Sequence, residues 1–177
     1  MDSVFEEIYE KYHQDIFQFL FYLVRDRHKA EDLTQEVYIR VMKSIDRFEN
    51  RSSLKTWILS IARNVAIDQF RKEKNKRNIP FSQFDWKNID FADHQKLPEE
   101  IAVQNERIRL LFRCLKMCTV DQQTVLIARF IQDLSIAETA EILGWTESKV
   151  KTTQHRALKR LKKFMEAASE KEGGHHE

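Results

Sequence analysis

An all-helical fold in two small units is what this chain predicts, on three observations. Only three glycines and two prolines occur in 177 residues, too few for the turns that hairpins and sandwiches need. Leu, Ile, Ala, Glu, Lys, Arg and Gln dominate, and these residues lose little on entering a helix. Apolar residues recur at i, i+3 and i+4 through long segments on either side of an irregular middle. With 42% apolar and 11% aromatic residues, the chain has enough material for packed cores.

The first unit spans residues 1–76. Its first helix, "VFEEIYEKYHQDIFQFLFYLV", carries a stripe of Phe5, Ile8, Tyr9, Tyr12, Ile16, Phe19, Leu20 and Leu23 that needs partners to cover it. In the second, "AEDLTQEVYIRVMKSI", Leu33, Val37 and Val41 face inward, while Asp32, Gln35, Glu36 and Lys43 fall on the other side at about 100° per residue. The third, "KTWILSIARNVAIDQFRK", is apolar round most of its girth, yet Ser60, Arg63, Asn64 and Arg71 share one stripe. An island of polarity on a nearly buried helix predicts a surface that faces a ligand. The connecting loop, "FENRSS", has no glycine, and Ser52 and Ser53 can cap the third helix through their hydroxyl oxygens.

Residues 77–97 read as a linker with scattered aromatics, bracketed by Pro80 and Pro98. A second unit follows over 98–168. "TVDQQTVLIARFIQDL" predicts one helix and "SIAETAEIL" a second, with Ser135 at its cap and Glu138 at the capping-box position. Gly144 breaks the chain before a third helix, "TESKVKTTQHRALKRLKKFM". Short helix, glycine-centred turn and longer helix form the helix-turn-helix pattern, whose second helix enters the DNA major groove. With Val150 inward, Gln154, Leu158 and Leu161 lie close to that direction, and Ser148, Thr152, His155, Arg156 and Lys159 point outward. Hydroxyls, imidazole and cations are the groups that bond phosphates and base edges. Residues 169–177, ending "GGHHE", read as a disordered tail.

The net charge of +2 conceals an uneven distribution. Six cations stand between Arg63 and Arg77 against Asp68 and Glu73, and seven between Thr146 and Lys163 against Glu147 alone. Between them, Asp85 to Glu106 carries six acids against Lys87 and Lys96. Polyanions are drawn to the two ends and repelled from the middle. One such run is commonly a solvated helix face; two, each closing an apolar helical unit, point to a nucleic-acid partner.

Other function classes lose support. No run of 18 apolar residues exists, and the acidic, amphipathic N-terminus is unlike a secretory leader, so a soluble cytoplasmic protein without membrane insertion is expected. No HExxH, CxxC or clustered Asp/His set suggests a metal or cofactor, and no nucleophile pair or phosphate-cradling glycine loop suggests an enzyme or a small-molecule substrate. Cys114 and Cys118, four apart, read as buried thiols on one helix face, with a redox pair as the alternative.

At "AEDLTQEVYIRV", "FENRSSLKTWILSIARNVAIDQFRK" and "LSIAETAEILGWTESKVKTTQHRALKRLKK" the chain resembles the extracytoplasmic-function sigma factors, which keep only the second and fourth conserved sigma regions. That resemblance covers all but the linker and the tail. It implies a non-catalytic subunit that joins core RNA polymerase and brings two promoter elements into register, where composition alone left open a stand-alone helix-turn-helix regulator or a nucleic-acid-modifying enzyme.

By the resemblance, Asp32, Gln35 and Glu36 dock on the polymerase clamp. Asn64 lies at the floor of a pocket for a flipped non-template base of the minus-ten element, lined by the loop of Phe48, Asn50, Arg51, Ser52, Ser53 and Lys55. Ser60, Arg63, Arg71 and Lys72 accompany it along the strand. Ser148, Lys149, Lys151, Thr152, Thr153, His155, Arg156 and Lys159 face the minus-thirty-five element, although many members have Ser-Arg where this chain has Thr152 and Thr153. The acidic linker is similar to the family's segment in the RNA-exit path, and a membrane-anchored anti-sigma factor is implied as a further partner.

Overall fold

The computed structural model describes residues 2–76 and 112–173, and no strand occurs among them. The expected linker, 77–97, the acidic stretch Asp85 to Glu106, the start of the second unit and residues 174–177 lie outside the described residues.

Three long helices build the first unit: α1 (Asp2–Val24), α2 (Arg27–Ser44) and α3 (Leu54–Lys76). The sharp α1–α2 corner is made by Arg25, whose φ of 54° ends α1, and by Asp26, whose carboxylate accepts the Lys29 N–H at 3.0 Å. A 3-10 turn, Ile45–Arg47, closes α2. Asn50, at φ 55°, supplies the left-handed residue that the glycine-free loop requires. Of the two expected caps, Ser53 serves: its Oγ accepts the Thr56 N–H at 3.1 Å, while the Ser52 hydroxyl turns to the Ser53 carbonyl at 3.4 Å. Ile16, Phe19, Leu20, Val37, Val41, Ile58, Leu59 and Phe70 fill the centre.

In the second unit, residues 112–116 are helical. The single helix expected over 119–134 is two elements. An α-helical part, α4 (Val120–Leu126), is started by a reciprocal Thr119–Gln122 capping box and widens into a π-helical turn, Ile127–Ile131. Gln132 N–H reaches back to the Ile127 carbonyl and Leu134 N–H to that of Ala128, both at 3.0 Å, with Asp133 at φ 55°. This extra width is a tertiary effect that sequence periodicity does not register.

Helix α5 (Ile136–Leu143) begins as expected, with Ser135 Oγ accepting the Glu138 N–H at 3.1 Å and Glu138 Oε2 accepting the Ser135 N–H at 2.7 Å. Gly144, at φ 65° and ψ 36°, ends it. Helix α6 (Glu147–Gly173) runs past the expected domain end at 168. Residues 169–173 are therefore helix and not tail, because no breaker precedes Gly173.

The two units share one apolar core. Helices α1 and α3 pack against α4, its π-turn and α5, so that Ile127, Ala128, Leu134 and Ile142 join the cluster of Phe19, Leu20 and Phe70. Phe112 lies 4.9 Å from Tyr22 and 6.3 Å from Phe21, ring to ring. Polar contacts rim this seam. Arg25 Nη2 donates to Gln123 Oε1 at 2.6 Å, and Gln132 Nε2 to the Asp15 carbonyl at 3.2 Å. Lys55 Nζ donates to the Gln132 carbonyl at 3.4 Å and pairs with Asp15 at 3.7 Å. Among the described residues, the buried side-chain atoms Arg25 Nη1, Arg63 Nε and Gln132 Oε1 have no protein hydrogen-bond partner.

Nothing lies within 4 Å of a Cβ added at Gly144, so the positive φ alone resists substitution. Gly144→Ala is expected to cost about 1 kcal/mol, seen as a Tm lowered by about 2–4 °C, and Gly144→Asn less, both read by thermal unfolding.

Candidate nucleic-acid interface

Helix α3 is covered by α1, α2 and α5, which leaves a narrow strip of it in solvent. Ser60 is half-buried there, its hydroxyl turned to the Trp57 carbonyl at 2.6 Å, and Asn64, Arg71 and Lys72 are exposed. At the head of the strip Phe48 packs on Trp57, ring centroids 5.0 Å apart. Trp57 shares the i, i+3, i+7 spacing of Ser60 and Asn64, a signal that sequence reading left unused. Beside the pair, Asn50 and Arg51 are exposed in the loop, Arg51 in an ion pair with Glu49 at 2.6 Å. Aromatic faces next to an exposed amide and cations suit an unstacked base and its phosphates.

Two of the expected minus-ten residues, Lys55 from the loop and Arg63 from the strip, are placed away from the exposed surface. Lys55 sits about 180° round the helix from Asn64 and is committed to Asp15 and the Gln132 carbonyl. Arg63 is on the flank between strip and seam. It is half-buried, and burial lowers its pKa while nearby Asp121 of α4 partly counters this; one Nη touches Asn64 Oδ1 at 3.5 Å.

Helix α6 presents the second face. Thr146 Oγ1 caps it by accepting the Lys149 N–H at 3.2 Å. Ser148, Lys149, Lys151, Thr152, His155, Arg156 and Lys159 are all exposed, and Thr153 is half-buried. The Thr152 hydroxyl donates to the Ser148 carbonyl at 3.0 Å, which leaves its methyl and oxygen lone pairs for a ligand. Lys149 lies over the Trp145 ring at 4.0 Å, a cation–π seat that the helical pattern alone did not reveal. The inward side differs from expectation: Ala157, fully buried, packs where Leu158 was assigned, and Leu158 is 40% exposed. Ala157 packs there with Leu115 and Leu126, and Leu161 lies against the same cluster. Gln154 is held by Arg129 Nε at 2.9 Å.

On α2, Asp32 and Gln35 are exposed. Glu36 is tied down: Arg40 bonds its Oε1 at 2.8 Å and Asp68 of α3 at 2.9 Å, and these two hydrogen bonds raise the Arg40 pKa.

Two cationic faces on separate helical units are matched by two family models. Residues 8–76 match Sigma-70 region 2, and residues 108–161 match Sigma-70, region 4. The ECF RNA polymerase sigma factor SigX of Bacillus subtilis (strain 168) is 55% identical over 170 residues, 96% of this chain and 88% of that protein. This chain belongs to the extracytoplasmic-function sigma factors. It is also similar to the RNA polymerase sigma factor YlaC of the same organism, 35% identical over 97% of this chain and 96% of that one.

Two solved structures share the fold of this sigma factor. The sigma factor RpoE in complex with the anti-sigma factor NepR, from Bartonella quintana, has a TM-score of 0.70 at 24% identity and covers 92% of this chain and 96% of that one. CnrH in complex with the cytosolic domain of CnrY has 0.69 at 15% identity, over 94% and 90%. Family membership makes the chain a sigma factor for promoter-specific transcription initiation, and a stand-alone regulator is not favoured.

No described helix of this sigma factor is long and apolar enough to cross a membrane. Cys114 and Cys118 are free and buried, and burial raises both thiol pKa values, Arg113 partly countering this at Cys114 and Arg160 at Cys118. The folded chain thus keeps protons that the unfolded chain gives up near the ordinary thiol value of 9.0, so this contribution to stability is present below that pH and lost as pH climbs above it. At pH 8 iodoacetamide is expected to modify both thiols far more slowly in the native chain than in urea, as mass spectrometry of timed samples would show.

Proposed function

We propose that the α2 stripe seats this sigma factor on core RNA polymerase, that α3 captures an unpaired minus-ten base, and that α6 reads the minus-thirty-five element. The observation that carries this reading is the pair of exposed cationic faces, one per sigma region, each built differently. On α6 the outward set is long, charged and solvent-borne, suited to a duplex groove and its phosphates. On α3 the strip joins an aromatic pair to a single exposed amide.

Extruding a base costs a few kcal/mol of unstacking. Stacking near Phe48 and Trp57, and an amide able to donate and accept at Asn64, offset that cost. Arg71 and Lys72 track the strand's phosphates, with Asn50, Arg51, Ser52 and Ser53 at the pocket rim. Asp32 and Gln35 meet basic polymerase residues, and Glu36 acts through the Arg40–Asp68 chain that fixes α2 to α3. Thr152, beside Thr153 and Arg156, offers a methyl for thymine, and Arg156 a forked contact to guanine. An anti-sigma factor, membrane-anchored by the family resemblance, restrains the chain until a signal arrives; the fold shared with the sigma factor RpoE, solved in complex with the anti-sigma factor NepR, supports a partner of that kind.

Run-off transcription from a cognate promoter is expected to require the protein together with purified core enzyme. Asn64→Ala should reduce permanganate-detected melting about tenfold while leaving closed-complex binding nearly unchanged, the loss of one or two hydrogen bonds. Arg156→Ala should weaken upstream recognition by about 1–3 kcal/mol, and Lys159→Ala should lower the salt slope of DNA binding by about 1, both measured by footprinting of the holoenzyme. Tight duplex binding by the isolated chain, with no affinity for core enzyme, would overturn the proposal.

A further inference from the structure

The turn before α6 holds an aromatic platform to which the promoter-reading function proposed above assigns no role. Gly144, at φ 65°, turns the chain there, and the Trp145 N–H reaches back to the Ala140 carbonyl at 2.9 Å, which closes the end of α5. The half-buried indole packs against the cluster of Val125, Ala140, Leu143 and Val150. Backbone and packing thus fix the ring before any ligand arrives.

Lys149 lies on that platform. Its Nζ is 4.0 Å from the centre of the Trp145 ring, and its backbone N–H is held by Thr146 Oγ1 at 3.2 Å, so the residue is restrained at both ends. Lysine has among the largest rotamer freedoms of any side chain, and a contact made from a free one has to offset the loss. Here the ring has restrained the stem already. It does so without consuming the charge: a ring face attracts an ammonium through its quadrupole but is no anion, so the ammonium meets a phosphate without first leaving a carboxylate. Further down α6 the restraints differ. Arg160 Cζ is 5.7 Å from the Phe164 ring centre, and Lys162 Nζ is 3.9 Å from a Glu166 carboxylate oxygen, while Lys151, Arg156 and Lys159 are exposed.

Position gives the restraint a use. Lys149 and Arg156 are seven residues apart, which puts them on one line of the helix about 10 Å long. A phosphate held at Lys149 fixes how far α6 sits along the groove, one turn before Thr152 and two before Arg156, because backbone contacts set register while base contacts specify. We propose that Trp145 is a positioning residue for the upstream element: it pre-organises Lys149 for one backbone phosphate and, through that contact, sets the register in which Thr152 and Arg156 meet the bases. The inference rests on α6 reading the minus-thirty-five element.

The seat is read in the free full-length chain by NMR. The Lys149 ε-methylene protons should lie upfield of those of the other lysines, shifted by the Trp145 ring current, move back in Trp145→Leu and stay shifted in Trp145→Phe. Unshifted Lys149 protons in the parent chain overturn the proposal without reference to polymerase. Binding is then measured with holoenzyme, by footprinting of the minus-thirty-five element over a salt series. Lys149→Met should lower the salt slope by about 1. Trp145→Leu should weaken binding about two- to fivefold with the slope unchanged, since the phosphate contact still forms from a freer side chain, and Trp145→Phe should recover most of the loss. In the Lys149→Met background, Trp145→Leu should cost nothing further. Equal losses with and without Lys149, or no loss from Trp145→Leu alone, overturn the positioning role. Should thermal unfolding show that Trp145→Leu has lost the fold, Trp145→Met, an adaptable apolar filler, takes its place in the cycle, and the parent's ring-current shift still judges the seat. If Lys149→Met and Arg156→Ala both leave the footprint unchanged, the reading by α6 fails and the proposal with it; if they weaken it and the Trp145 variants do not, the positioning role alone fails.

Discussion

Helix α3 has to satisfy three neighbours at once, and this constraint organises the molecule. Its Ile58, Leu59, Ala62, Val65, Ala66 and Phe70 are at most 2% exposed, covered by α1, α2 and α5. What remains for solvent is one strip, and the residues on it are those able to hold a base and a phosphate. The position of the candidate strand-binding surface thus follows from where apolar packing stops.

Helix ends give the second module its geometry. Two capping boxes start α4 and α5, and Gly144 turns the chain at a φ that side chains resist. Because Val150 and Ala157 anchor α6 and nearly all of its cations point away, that helix can carry a dense positive face without charging the core. The arrangement concentrates attraction for a polyanion on one side, and Lys149 lies over the Trp145 ring at its start.

The cations of α3 have a different physical status. Arg71 and Lys72 are solvent-borne, whereas Arg63 and Lys55 are drawn into the packing of the second module. Burial pulls the Arg25 pKa down to about 10, so it remains charged at neutral pH inside the seam. A joint that buries a charge and leaves several polar atoms unpaired is held mainly by its apolar area.

Most of this architecture was legible in the linear chain. The all-helical class, the three helices of the first unit, the Ser135–Glu138 box, the Gly144 break and the outward face of α6 all depend on residues within a turn or two of one another, where sequence periodicity and capping chemistry act directly. Tertiary packing alone decided the rest. The π-turn after Leu126, the burial of Ala157 in place of Leu158, the commitment of Lys55 to Asp15 and the half-burial of Arg63 arise between residues far apart in the chain, and no local pattern records which distant surface a side chain will meet.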